Sequence, residues 1–250
     1  MSHPNPDTLV AVSAYAGDQQ QVENNLPYYL HHGCPVVILS PADAPITKVA
    51  DSRVHCQWAG EKGWIGPQTL ERQRKFLEML LVFPQKYFLF NDADSVCLAQ
   101  RLPRYLYDHP DMLWSNEVLD TNPAPSLLPK IALQPPYFMS RKVIMGMLGT
   151  ADNLPTSYTG VSPEGWTMPF PTNCIDHYML QLICGSGYAH FNFHSGASFE
   201  TTSQHGLETM ADLVRIYGRD MIHQIKTKPV LDRLVNEHVT YLRGLPPGRR

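Results

Sequence analysis

The chain has 250 residues, 43% of them hydrophobic and 17% charged, which excludes a disordered tract and suffices for one domain with a full core. A formal net charge of -3 gives no global reason to expect a polyanionic partner. Five cysteines, odd in number and without CxxC spacing, read as small core residues of a reducing compartment, not as a disulfide frame or zinc site. The opening "MSHPNPDTLV" has no basic segment followed by an apolar one, and no run of about 18 apolar residues occurs anywhere. The expectation is a cytoplasmic protein without a membrane span.

Along the chain, "TLVAVSAYAG" predicts a first strand ending in small residues that leave room for a ligand near Tyr15. "NLPYYLHHG" predicts a short helix stopped at Gly33. "PVVILS" and "RVHCQWAG" predict two further strands. The clearest helix is "QTLERQRKFLEMLLVF", where Leu70, Leu77, Leu80 and Leu81 make an apolar stripe and Pro84 ends the run. Then comes "KYFLFNDADSVCL". Its unbroken apolar stretch predicts a strand covered on both faces, and Asn91, Asp92 and Asp94 fall at its carboxyl end. The alternation predicts an α/β domain with a mixed, mainly parallel, Rossmann-like sheet flanked by helices.

The second half is less regular. "DMLWSNEVL" predicts a strand, and "QPPYFMSRKVIMGML" a short strand leading into a helix. Prolines and glycines dominate residues 151–173, so this stretch is expected to be a long loop acting as a lid over the site. "CIDHYMLQLICGSG" predicts a helix, "YAHFNFHSG" a late strand, and "LETMADLVRIYGRDMIHQIKT" and "PVLDRLVNEHVTYLRGL" two C-terminal helices from about residue 206. One domain is expected to span residues 1–250.

Two carboxylates at i and i+2 beyond a strand end can reach one divalent cation. Hard oxygen ligands suit Mg2+ or Mn2+, ions commonly shared with substrate phosphates. A wet, turning loop also takes acidic residues, so the pair is not decisive alone. Through "LVAVSAYAG", "FLFNDADS" and "NCIDHYMLQLICGSG", the chain resembles the GT-A family of nucleotide-sugar glycosyltransferases, over residues 8–196 at the level of pattern and order. By that resemblance "DAD" is the family's DxD motif. Asp92 and Asp94 would hold the metal and, through it, the donor diphosphate, and the first strand with Tyr15 would meet the nucleotide. A late histidine after a strand completes the metal shell in a number of these enzymes. His194 is the candidate here, with His190 and His205 as rivals.

The resemblance implies a nucleoside diphosphate-sugar donor and an acceptor with a free hydroxyl. Such a transfer needs a base for that hydroxyl. Asp176, at the opening of its helix, is the candidate base of an inverting displacement, or a first-turn carboxylate favoured by the helix dipole. Arg72 and Arg74 precede the acidic strand and are candidates for the donor phosphates. Arg74 shares helical spacing with Leu70, Leu77 and Leu81, so it needs a partner or a route to water. Trp166 could stack on a sugar or pin its loop to the core, and Arg141 with its neighbours Ser140 and Lys142 could meet the acceptor.

Three other readings fit parts of the pattern, one of them a sugar-nucleotide pyrophosphorylase, which would share the fold but whose expected glycine-rich, basic loop after the first strand is missing. A haloacid dehalogenase-like phosphatase also places DxD after an apolar strand, but typically near the N-terminus and with a later paired-acid loop; no "DD" occurs here. A nucleotide-sugar-binding protein without catalysis is the third.

Overall fold

The computed structural model describes residues 7–62, 67–119, 131–153, 158–161, 167–170, 175–193, 211–212, 214–215, 220–223, 225 and 227–246. Seven strands form the main sheet: β1 (Thr8–Ser13), β2 (Val36–Ser40), β3 (Val54–Trp58), β4 (Tyr87–Asp92), β6 (Met112–Leu119), β7 (Ile131–Ser140) and β10 (Ala189–Asn192). Their spatial order is β3-β2-β1-β4-β7-β6-β10. β7 runs antiparallel to both of its neighbours, and the other pairings are parallel. The expected mixed, mainly parallel, helix-flanked α/β sheet is the one the chain forms.

Central strands are apolar on both faces because both faces are covered. On one face Leu9, Ala11, Phe88 and Phe90 meet the helices α2 (Pro67–Leu80), α4 (Arg141–Ala151) and α5 (Ile175–Ser186). On the other, Val10, Val12 and Leu89 pack in one cluster with residues of α1 (Gln19–Leu30), the four-residue α3 (Tyr105–Asp108) and α6 (Lys228–Gly244). The same side carries a two-stranded antiparallel ladder of β5 (Val96–Cys97) and β11 (Met221–Ile222).

Helix α1 begins six residues earlier than its apolar pattern suggests and tolerates Pro27 inside its last turn. Gly33, just after it, has φ of 68°, where a side chain would be strained. Two expectations are corrected. Residues 151–173 are not one unstructured loop: β8 (Tyr158–Val161) and β9 (Thr167–Phe170) form an antiparallel hairpin within them. Of the two helices expected beyond residue 206, the second forms as α6, but the first is not helical throughout, because Met221 and Ile222 are strand residues paired with Cys97 and Val96. No helix among the described residues is long and apolar enough to cross a membrane.

Candidate active site at the carboxyl edge of the sheet

β1 and β4 pair in parallel up to Ser13 opposite Asp92, so both strands end at one edge. Beyond a parallel edge of this kind lies the usual ligand crevice of an open α/β sheet. A cleft occurs there, and Tyr15, Asp18, Lys62, Arg72, Asp92 and Asp94 are among its walls.

The chain turns sharply after β4. The Ser95 hydroxyl donates to the Asp92 carbonyl at 3.0 Å and accepts from the Asp92 N–H at 2.8 Å. The Ser95 N–H also donates to the Asp92 carbonyl, at 3.0 Å. These bonds close a tight turn that brings the carboxylates of Asp92 and Asp94 to one side of the strand end. β5 follows and pairs with β11, with the Leu98 N–H on the Asp220 carbonyl at 2.6 Å and the Ile225 N–H on the Asp94 carbonyl at 2.7 Å. That ladder delivers His223 to the turn. Its Nδ1 stands 3.4 Å from Asp94 Oδ1, with both side chains about a tenth exposed.

Ligand atoms of Asp92, Asp94 and His223 all lie within 4.8 Å of one another. Neighbouring ligands of an octahedral ion with bonds of about 2.1 Å are roughly 3 Å apart, so small side-chain rotations would close the set on one cation. Two carboxylates and an imidazole suit Mn2+ and also admit Mg2+. The donor set therefore fits a divalent cation, and His223 is the candidate ligand that sequence reasoning missed. Its neighbours "RDMIHQI" carry no metal motif, and only the β5–β11 pairing reveals it.

Arg72 is buried at 8% exposure, with its Nη1 donating to the Glu61 carbonyl at 3.3 Å. Burial lowers its pKa, while the carboxylates of Asp92 and Asp43 act in the opposite sense. A guanidinium remains charged under such a balance, so the cleft holds a fixed cation beside the acidic pair. Gly60, with φ of 70°, packs against it: a Cβ there would come within 3.0 Å of the Arg72 Cα. Tyr15 forms another wall, and the Lys62 ammonium sits 4.0 Å from the centre of its ring. Gly17 makes room for that ring, since a Cβ would meet Tyr15 Cε2 at 2.4 Å.

Tyr15, Arg72, Asp92 and Asp94 are thus brought together. Arg74 is not among them: it is held by Glu78 at 3.1 Å and Asp152 at 2.5 Å on the outer side of α2. Arg141 lies at the opposite end of β4. It donates to the carbonyls of Leu81 at 2.8 Å, Gln85 at 3.2 Å and Phe83. Asp176 falls in the first turn of α5, one residue after Ile175, which lines the cleft. The Asp176 side chain, His194, His205 and Trp166 lie outside the described residues, and His190 is placed in β10 at the far edge of the sheet.

No family model matches the sequence, and no curated protein matches it. Among solved structures, the chain is similar to the glycosyltransferase GlyE of Streptococcus pneumoniae TIGR4, at TM-score 0.46 and 11% identity, covering 98% of this chain and 66% of that one. The apo form of GlyE gives 0.45 and 10%, covering 95% and 62%. The chain thus spans slightly less than two thirds of GlyE, and likeness at this level says nothing of what it binds or turns over.

Proposed function

We propose that this protein is a metal-dependent glycosyltransferase that moves a sugar from a nucleoside diphosphate-sugar to an acceptor hydroxyl with inversion. The observation that carries the reading is the convergence of Asp92, Asp94 and His223 beside the buried Arg72, at the carboxyl edge of parallel strands. A cation held by the three would neutralise charge on a leaving diphosphate. Arg72 and Lys62 add fixed positive charge where the phosphates would lie, and the Tyr15 face offers a surface for the nucleotide. Asp176 is assigned the acceptor hydroxyl's proton. Its place beside Ile175 supports that role, because it puts the residue's backbone next to the cleft and on a different element from the acidic turn. Cytoplasmic placement belongs to the same proposal.

The test is calorimetry with a panel of nucleoside diphosphate-sugars, with Mn2+ and with chelator, on the wild type and Asp94→Asn. Binding of one donor should require the metal in the wild type, and in the variant added Mn2+ should no longer raise donor affinity, because a neutral amide gives up the charge that holds a hard cation. Equal affinity with and without chelator in the wild type would transfer the diphosphate to Arg72 and Lys62 and end the metal-dependent reading. Release of phosphate from monoesters, with no donor bound, would favour the phosphatase class instead.

A further inference from the structure

Helix α1 carries Gln21, Asn25 and Tyr29 at four-residue spacing, which stacks them on one helical face. Val22, Leu26 and the Tyr29 ring supply the apolar packing of the same helix, so the amides of Gln21 and Asn25 and the Tyr29 hydroxyl are not needed to fill the core. All three donate to backbone carbonyls of the cation site. Asn25 Nδ2 reaches the Ala93 carbonyl at 2.8 Å, and the Tyr29 hydroxyl reaches the same oxygen at 2.9 Å. Gln21 Nε2 donates to the Ile225 carbonyl.

The recipients matter. Ala93 separates the two carboxylates, and its N–H is bound to the Ser13 carbonyl at 2.9 Å. A carbonyl oxygen has two lone pairs, and this one receives two buried donors. Together they fix the plane of the peptide joining Ala93 to Asp94, and with it the direction in which Asp94 leaves the chain. Ile225 stands two residues after His223, and its N–H already holds the Asp94 carbonyl at 2.7 Å. Gln21 thus ties down Ile225 just beyond the imidazole, and Asn25 and Tyr29 tie down the turn that carries the carboxylates.

Asn25 also shows a mismatch that packing does not explain. Its side chain is fully buried, and its Oδ1 has no hydrogen-bond partner among the described residues. A buried acceptor left unmet is destabilising, whereas an apolar residue of similar volume would fit the cluster around it. What the amide does there is hold Ala93 and the Tyr29 hydroxyl that holds the same carbonyl.

We infer that Gln21, Asn25 and Tyr29 are positioning residues that set the geometry of the Asp92, Asp94 and His223 cation site from one face of α1. The inference rests on the cation reading of that site and is independent of which donor or acceptor is used.

Mn2+ itself is the probe. Its binding to the full chain is titrated by the loss of the free-ion paramagnetic resonance signal, and metal-free melting is recorded in parallel. Asn25→Leu should weaken Mn2+ about tenfold or more, the range typical when a group orienting a metal ligand is lost. Its metal-free melting temperature should be unchanged or higher. Tyr29→Phe, which removes one oxygen, should weaken Mn2+ in the same direction and decides the matter alone if Asn25→Leu does not fold. Val22→Ala is the control. It should lower the melting temperature and leave Mn2+ affinity as it was, which a purely structural role for α1 would not separate. Wild-type Mn2+ affinity in both Asn25→Leu and Tyr29→Phe overturns the inference while the cation site stands. A wild-type chain that takes no Mn2+ overturns the cation reading, and the inference falls with it.

Discussion

Asp92 and Asp94 reach the cleft from different backbone settings, one from the last position of a strand and the other from a turn closed by Ser95. A rigid origin and a braced one place two like charges together, an arrangement that is unfavourable unless a cation or Arg72 offsets it. Asp176 belongs to neither setting. It lies in the first turn of α5, one residue after Ile175 of the cleft wall. If it takes the acceptor proton, Asp176→Asn should keep donor and Mn2+ affinity and lower the transfer rate about 10²–10⁴-fold. Single-turnover transfer together with donor calorimetry measures both quantities. Joint loss of donor and metal binding would assign Asp176 to the cation, and an unchanged rate would leave it as a carboxylate favoured by the helix dipole.

At the scale of elements, the joint between α2, β4 and α4 is held by one side chain. Arg141, the first residue of α4, caps three carbonyls in the connection between α2 and β4, and its own N–H binds the Lys86 carbonyl at 2.8 Å. Arg141→Leu strands those part-buried acceptors, and bonds from a charged donor contribute about 1.5–3 kcal/mol each at most. A urea denaturation should show a loss of about 2–4 kcal/mol, with Mn2+ affinity retained. An unchanged midpoint would mean that water replaces the guanidinium without loss. Much of this architecture was legible from residues. The stripe of Leu70, Leu77 and Leu80 marks α2 because its period is set by the core, and the apolar run of residues 87–90 marks β4 because both of its faces are covered. Asp92 and Asp94 were legible because a strand end precedes them. His223 was not. Two residues of strand have no period to read, and Met221 with Ile222 become a strand only because Val96 and Cys97 pair with them. Asn25 was illegible for a similar reason, since its partner is a backbone carbonyl 68 residues away.

Across the whole molecule, the cluster behind the candidate cation site joins the end of α1, the residues after β5 and helix α6, and it buries three imidazoles. Burial lowers the pKa of His31 to about 4 and of His32 to about 3, the two rings being 4.2 Å apart between centres. His238, on α6, is lowered by burial as well. Each is held neutral in the folded chain while its unfolded counterpart titrates near the ordinary imidazole value of about 6.5. Below that value the unfolded state binds more protons, so stability falls as the solution is made more acidic. Their contribution is complete above about pH 6.5 and is lost as pH drops, toward 4 for His31 and toward 3 for His32. By pH 5 the loss from His32 alone is on the order of 2 kcal/mol. Asp220 works in the other direction. Burial pushes its carboxyl up to about 6, so the folded chain holds that proton more tightly and gains stability as pH falls below 6. One carboxyl with a shift of similar size cannot offset two imidazoles, so the net change between pH 7.5 and pH 5 should be a loss. Urea midpoints at the two values measure it, and His32→Leu, which removes a titrating ring from a buried site, should flatten the dependence. A midpoint that stays level or rises on acidification in the wild type would show that Asp220 outweighs the histidines and that the cluster opens to water before it charges.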